Sequence, residues 1–163
     1  MNDLLHRITI LLQVGGGGAT VWEQLLRQAL NHFHSEMGTI HRLDDEKQLL
    51  CLVAQIGLPP QMLEIVKTIP VGKGIAGQTV AQGKPVTICN LQADTGGVAR
   101  PGAKQTGVGG TLCVPLRKGN ALVGTIGIGT ARVYEYTPEE TRALEEIGRV
   151  VGAHLNEIPP AIR

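Results

Sequence analysis

The chain has 163 residues, a length that suits one domain with a single hydrophobic core. Its formal net charge of +1 and its aromatic content of 2 % argue against the basic surfaces and stacking platforms of nucleic-acid-binding proteins. No apolar run approaches the ~20 residues that span a bilayer, and the first residues lack the pattern of a signal peptide. We therefore expect a cytoplasmic domain that contacts neither a membrane nor nucleic acid.

The three cysteines, Cys51, Cys89 and Cys113, are an odd number and do not have the spacing of a metal site. Each lies within an apolar run, so we expect three buried free thiols. The sequence contains no Ser-His-Asp order, P-loop or cluster of metal ligands. We therefore expect no cofactor, no metal ion and no catalytic residue.

The first 35 residues predict two helices separated by four glycines at positions 15–18. Leucine and isoleucine recur at helical spacing in residues 4–12 and form one apolar stripe. Residues 37–43 and 48–56 then predict a β-hairpin with a charged turn. His41 lies in the middle of the first strand, where a solvent-exposed position, a hydrogen-bonded core position and a ligand contact are all open to it.

A short helix is predicted to begin at Pro59 or Pro60 and to continue to about Lys67. We expect its apolar side chains to belong to the core rather than to a ligand site. The segment after it contains three glycines in the pattern G-x-G-x-x-G, which can mark a dinucleotide-binding turn. The helix predicted there, residues 78–82, ends at a Gly-Lys-Pro sequence and is too short for the crossover that such a turn requires. A glycine turn that lets a short helix lie close to the sheet explains the pattern better.

Residues 92–109 form the longest segment without a predicted helix or strand. Such segments are commonly functional or mobile, so this one is either a lid whose Arg100 or Lys104 meets an anionic group, or a surface loop. Residues 110–117 and 121–131 predict a second hairpin. The sequence Thr-Pro-Glu-Glu from position 137 is a strong helix start, with Thr at the N-cap and Pro at N1.

The order of these segments resembles that of a GAF domain over about residues 3–155. The motifs that carry the resemblance are Val71-Gly72-Lys73-Gly74-Ile75-Ala76-Gly77, Gly83-Lys84-Pro85, Asn90-Leu91, Leu112-Cys113-Val114-Pro115-Leu116 and Leu122-Val123-Gly124-Thr125-Ile126-Gly127-Ile128.

The resemblance implies an α+β fold, a three-layer α/β/α domain with a central antiparallel sheet of about five to six strands. We expect one domain over 1–163, with N-terminal helices in 1–35, the sheet, short helices and long loop in 36–135, and a helix at 138–156. In the family, terminal helices pack on one face of the sheet, and the opposite face holds small ligands. Family members often form homodimers through the terminal helices, and residues 4–12 offer an apolar surface for such a contact.

A GAF-like fold implies a sensory or regulatory domain that binds a small molecule, here unidentified, and signals through its terminal helices. The cyclic-nucleotide signature of phosphodiesterase relatives and the bilin-attaching cysteine with a nearby histidine are both absent. The candidate pocket residues are Ile75 and Thr79 on the short helix, Arg100, Gln105 and Thr106 on the loop, and Cys113 on the strand.

Two alternatives stay open. One is a GAF-like dimerisation module without a ligand. The other is an enzyme similar to free methionine-R-sulfoxide reductase, a single GAF domain that needs a nucleophilic thiolate and a resolving thiol. That family carries cysteines in the turn before the short helix and in the long loop. Residues 75–77 and 92–109 contain none, which disfavours the enzyme.

Overall fold

The computed structural model describes residues 1–14, 19–93 and 107–155. Its helices are α1 (Asn2–Val14), α2 (Ala19–His32), α3 (Leu63–Val66), α4 (Gly74–Gln82) and α5 (Pro138–Leu155). Its strands are β1 (Met37–Asp44), β2 (Leu49–Ile56), β3 (Thr68–Pro70), β4 (Val86–Ile88), β5 (Gly110–Lys118) and β6 (Ala121–Thr130). A 3-10 turn at Pro60–Met62 precedes α3, and a second one at Leu91–Ala93 follows β4.

The six strands form one sheet in the order β3-β2-β1-β6-β5-β4, and every neighbouring pair is antiparallel. The two predicted hairpins, β1–β2 and β5–β6, meet at the centre of the sheet where β1 pairs with β6. The predicted α+β fold with a central antiparallel sheet is therefore confirmed.

Helices α1, α2 and α5 cover one face of this sheet. Their apolar residues, with Trp22 fully buried among them, form the main core together with sheet residues such as Ile40, Val114 and Ile126. The opposite face carries α4 and a smaller apolar cluster of Leu50, Ile69 and Val80. The fold therefore has the three layers expected of it.

Helix α5 begins as its sequence predicts. The Thr137 hydroxyl accepts a hydrogen bond from the Glu140 amide at 3.1 Å, and the Glu140 carboxylate accepts one from the Thr137 amide at 2.9 Å. This reciprocal capping box supplies partners for backbone donors at the helix start. Two glycines, Gly148 and Gly152, then bring the α5 backbone against β5, because a Cβ at Gly152 would lie only 2.7 Å from the Arg117 carbonyl carbon.

Several expectations need correction. Helix α4 begins at Gly74, four residues earlier than predicted, because extended Lys73 serves as its N-cap. Of the three cysteines expected to be buried, Cys113 is buried, but Cys89 is exposed and Cys51 is partly exposed. Cys89 follows β4, a three-residue edge strand whose own residues are partly or fully exposed.

The apolar stripe of α1 is not free for a dimer contact. Leu4, Ile8 and Leu12 are at most 7 % exposed, because they pack in the main core of the same chain.

A candidate ligand cavity between the sheet and the short helices

A cavity of about 150 Å³ lies on the face of the sheet opposite to α1, α2 and α5. Strands β1, β5 and β6 form its floor, and its walls come from α3, the start of α4, β3, the two 3-10 turns and two loop residues. An engineered apolar cavity of about this size binds benzene, so the space suits a small organic molecule. The lining residues are Met37, Gly38, Thr39, His41, Leu58, Met62, Ile65, Val66, Ile69, Gly74, Ile75, Ala76, Leu91, Val108, Thr111, Cys113, Gly127, Ile128 and Gly129.

Glycine on β6 makes room for the cavity. Gly127 lies between Thr39 of β1 and Cys113 of β5 in the register of the sheet. A Cβ at Gly127 would lie 3.5 Å from Thr39 Oγ and 3.7 Å from Cys113 Sγ, which are ordinary contact distances. A side chain at Gly127 would therefore occupy cavity space without overlapping the backbone.

Most of the described lining is apolar, and none of its described side chains is charged. Its polar side chains are those of Thr39, His41, Thr111 and Cys113. The Thr111 hydroxyl already donates to the Ile128 carbonyl at 3.1 Å. An ionic ligand would lose its hydration without gaining an opposite charge from these residues, so the described part of the lining favours a neutral ligand.

His41 is the most distinctive polar group of the lining. It is 1 % exposed, and its Nε2 lies 2.8 Å from the Val66 carbonyl oxygen. Burial lowers the pKa of His41 to about 4, and the hydrogen bond to Val66 opposes that shift only in part. The imidazole is therefore neutral near pH 7, and Nε2 carries its proton because a carbonyl can only accept. Nδ1 is then an acceptor, and it is buried without a hydrogen-bond partner among the described residues.

Cys113 is the only one of the three cysteines that lines the cavity. Burial raises the pKa of its thiol to about 11, although the nearby Thr79 and Thr125 hydroxyls oppose the shift. The side chain is therefore a neutral thiol near pH 7, and it behaves as a small apolar group in the cavity floor.

The structure places the predicted pocket residues in different surroundings. Ile75 and Cys113 line the cavity. Thr79 is fully buried and donates its hydroxyl to the Ile75 carbonyl at 2.8 Å, so it lies behind the lining. The remaining predicted residues, Arg100, Gln105 and Thr106, lie outside the described residues.

Part of the cavity wall was not recognised in the sequence. Met62, Ile65 and Val66 were expected in the core; Met62 is buried as expected, but all three also line the cavity. The glycines of β6 have different surroundings. A Cβ at Gly124 would overlap the His41 carbonyl of β1 and lie 3.1 Å from Leu155 of α5, whereas Gly127 faces the cavity. The alternation of residues along β6 is the one signal in the sequence that could have separated the two faces.

The described residues offer no group of three His, Cys, Asp or Glu side chains that could hold a metal ion. Within the same ranges, no helix is both long enough and apolar enough to cross a bilayer.

Comparison with known proteins agrees with this architecture. The family model for the GAF domain matches residues 19–156. The chain belongs to the GAF domain family. A search of curated protein sequences found no significant match.

Solved GAF structures share the fold at low sequence identity. The GAF domain from a phosphoenolpyruvate-protein phosphotransferase of Coxiella burnetii has a TM-score of 0.80 and 16 % identity, over 96 % of this chain and 93 % of that chain. The corresponding Acinetobacter domain has a TM-score of 0.77 and 16 % identity, over 94 % of this chain and 92 % of that chain.

An enzyme has a similar structure. Free methionine-R-sulfoxide reductase from Neisseria meningitidis, solved in complex with its substrate, has a TM-score of 0.77 and 15 % identity. The match covers 95 % of this chain and 87 % of that chain. At these identities the likeness shows a shared fold, which regulatory domains and an enzyme both use.

Proposed function

We propose that this GAF domain is a sensory module that binds a small, neutral, mainly apolar molecule and transmits binding to its terminal helices. The observation that carries the proposal is the apolar cavity of about 150 Å³ on the sheet face opposite to α1, α2 and α5. A concave, mostly apolar site with a few polar groups is the usual form of a small-molecule site.

The route from the cavity to the helices is short. Strand β5 places Cys113 in the cavity floor and directs its neighbours Val114 and Leu116 into the main core beside α5. Close contact of the α5 glycines with β5 leaves little room for the helix to move independently of the strand. A ligand that favours one position of β5 would therefore also favour one position of α5.

The proposal is tested by thermal unfolding with a panel of neutral compounds (benzene, phenol, indole) and charged ones (cyclic AMP, 2-oxoglutarate, free methionine sulfoxide). A ligand at ~100 times its dissociation constant stabilises the folded state by about 2.7 kcal/mol, which raises the midpoint of a domain this size by several degrees. We expect the neutral compounds to raise the midpoint and the charged compounds to leave it unchanged.

A matched pair of variants locates the binding site. Gly127→Val fills the cavity floor and should abolish the shift, whereas Ala121→Val enlarges an exposed side chain of the same strand and should preserve it. A shift that survives in Gly127→Val would place the ligand elsewhere. If no compound shifts the wild-type midpoint, the ligand-free dimerisation module becomes the better interpretation.

A reductase is the second candidate function, because Cys113 lines the cavity in a fold that such enzymes share. Reduction of a sulfoxide needs a thiolate and a second thiol to resolve the oxidised one. The raised pKa of Cys113 and the exposed position of Cys89 do not favour that chemistry. Loss of methionine sulfoxide from a mixture with a thiol reductant, abolished by Cys113→Ser, would establish the enzyme instead.

A further inference from the structure

His41, which lines the cavity, has a polar neighbour on the adjacent strand. His41 of β1 and Thr125 of β6 are direct partners in the antiparallel register. Side chains of directly opposed residues lie on the same face of a sheet, with their Cβ atoms about 4.5–5.5 Å apart. The two side chains therefore meet at the centre of the sheet, on the face that carries the cavity.

Each side chain holds a polar atom without a hydrogen-bond partner of normal geometry among the described residues. His41 Nδ1 and Thr125 Oγ are both buried, each residue is 1 % exposed, and the group near Thr125 Oγ is the Cys113 thiol, a weak hydrogen-bonding group. Native proteins pair most buried polar atoms, because an unpaired one has lost its hydration without replacement. Two such atoms on directly opposed residues indicate a site for a polar group that the described residues do not supply.

The chemistry of the two atoms selects that group. The Nε2 proton of His41 is held by the Val66 carbonyl, so Nδ1 can only accept a hydrogen bond. The Thr125 hydroxyl can donate one. A single hydroxyl group satisfies both atoms, since it donates to Nδ1 and accepts from Thr125. A carboxylate cannot do so, because it presents only acceptors to Nδ1.

We propose that the cavity binds a small neutral molecule with an apolar body and one hydroxyl group, which is held between His41 Nδ1 and the Thr125 hydroxyl. This inference rests on the proposed function, because the ligand occupies the same cavity. Both polar atoms are sealed from solvent and Thr125 lies outside the cavity lining, so a side chain of the cavity wall must move for the hydroxyl to reach them. The apolar body then lies against side chains such as Met62, Ile75 and Val108.

The test compares two probes that differ at one group, phenol and fluorobenzene. Their dissociation constants are measured by NMR titration of backbone amides in the wild-type protein and in His41→Gln. The glutamine amide nitrogen can take the place of Nε2 at the Val66 carbonyl, but the acceptor at the Nδ1 position is lost. Thr125→Val, which removes the hydroxyl at nearly constant shape, serves as an independent second variant.

We expect the preference for phenol over fluorobenzene to be about tenfold greater in the wild type than in His41→Gln, as the loss of one buried hydrogen bond implies. Thr125→Val should reduce the preference in the same direction. His6→Gln, at an exposed position of α1, should leave it unchanged.

The outcomes separate the two proposals. Binding of both probes with the same preference in the wild type and in both variants would overturn the hydroxyl site and leave the cavity as the ligand site. Failure of both probes to bind the wild-type protein would overturn the proposed function together with this inference.

Discussion

His41 Nε2 and the Val66 carbonyl oxygen lie 2.8 Å apart, so the centre of the sheet is hydrogen-bonded to the segment that covers the cavity. Val66 ends α3, and both residues line the cavity. This bond decides which ring nitrogen carries the proton and leaves the other as an acceptor. Protonation of this one buried side chain therefore affects the stability of the whole domain.

The pKa of about 4 predicts that the domain loses stability in mild acid. Above pH ~6.5, His41 is neutral in both the folded and the unfolded state. Between pH ~6.5 and about 4 the unfolded chain binds a proton that the folded protein excludes. The free energy of unfolding therefore falls by about 1.4 kcal/mol per pH unit, or about 3 kcal/mol in all.

Urea unfolding at a series of pH values measures this loss for the wild type and for His41→Gln. Other groups also titrate in this range, so the difference between the two curves is the relevant quantity. We expect the wild type to lose more stability than His41→Gln as the pH falls. Parallel curves would show that His41 is not held neutral in the folded protein.

A Gly→Ala change is expected to lower stability at Gly152 of α5, on one side of the sheet, and to preserve or raise it at Gly127, on the cavity side. At Gly152 the new Cβ overlaps the Arg117 backbone, which should cost about 1–3 kcal/mol or more. At Gly127 the new Cβ enters the cavity at ordinary contact distances. Because alanine makes the unfolded chain less flexible than glycine does, the free energy of unfolding should be unchanged or raised by about 0.4–1 kcal/mol. Chemical denaturation measures both. Equal destabilisation of the two variants would contradict the placement of the glycines.

Much of the fold could be predicted from local patterns. The turn residues and alternating strands predicted both hairpins, and Thr137 with Pro138 and Glu140 predicted the start of α5. These features depend on residues close in sequence. The α4 start was misplaced because Gly74 can occupy either a turn or a helix, and contacts with the sheet decide between them.

The cavity was harder to predict because it depends on residues far apart in the chain. His41 could be recognised as a mid-strand histidine, but its partner Val66 is 25 residues away. The register that places Thr125 opposite His41 joins the first strand to the last, and no local signal specifies it. The sequence also shows no difference in type between the glycine that packs on α5, Gly124, and the glycine that lines the cavity, Gly127.

The three thiols should differ in reactivity. Cys89 is exposed and should react first with an alkylating reagent. Cys113 is buried and its pKa is about 11, so about one molecule in ten thousand carries the reactive thiolate at pH 7 and labelling should be slowest there. Mass spectrometry of peptides from briefly labelled protein gives the three rates. Labelling of Cys113 as fast as Cys89 would contradict its buried position.

Association through the terminal helices stays a prediction. The stripe of α1 that faces α2 and α5 is buried in its own chain, so a dimer would use side chains such as Ile10, 44 % exposed, and Val14, 76 % exposed. We expect a homodimer in sedimentation velocity, and Ile10→Lys should shift it toward monomer. Val133→Lys changes an exposed apolar residue outside the helices and should have no effect. A monomeric wild type would rule out this interface.

Trp22 provides the most direct test of communication between the cavity and the helices. It is the only tryptophan of the chain, is fully buried in α2, and lies on the sheet face opposite to the cavity. Its indole N–H therefore gives one NMR signal, which can be followed during a phenol titration of the wild type and of Gly127→Val.

We expect the indole signal to move with the same dissociation constant as the amides of the cavity residues, and to stay in place in Gly127→Val. Movement of the cavity amides with a stationary indole signal would contradict the proposed communication, because the ligand would then bind without affecting the helical layer.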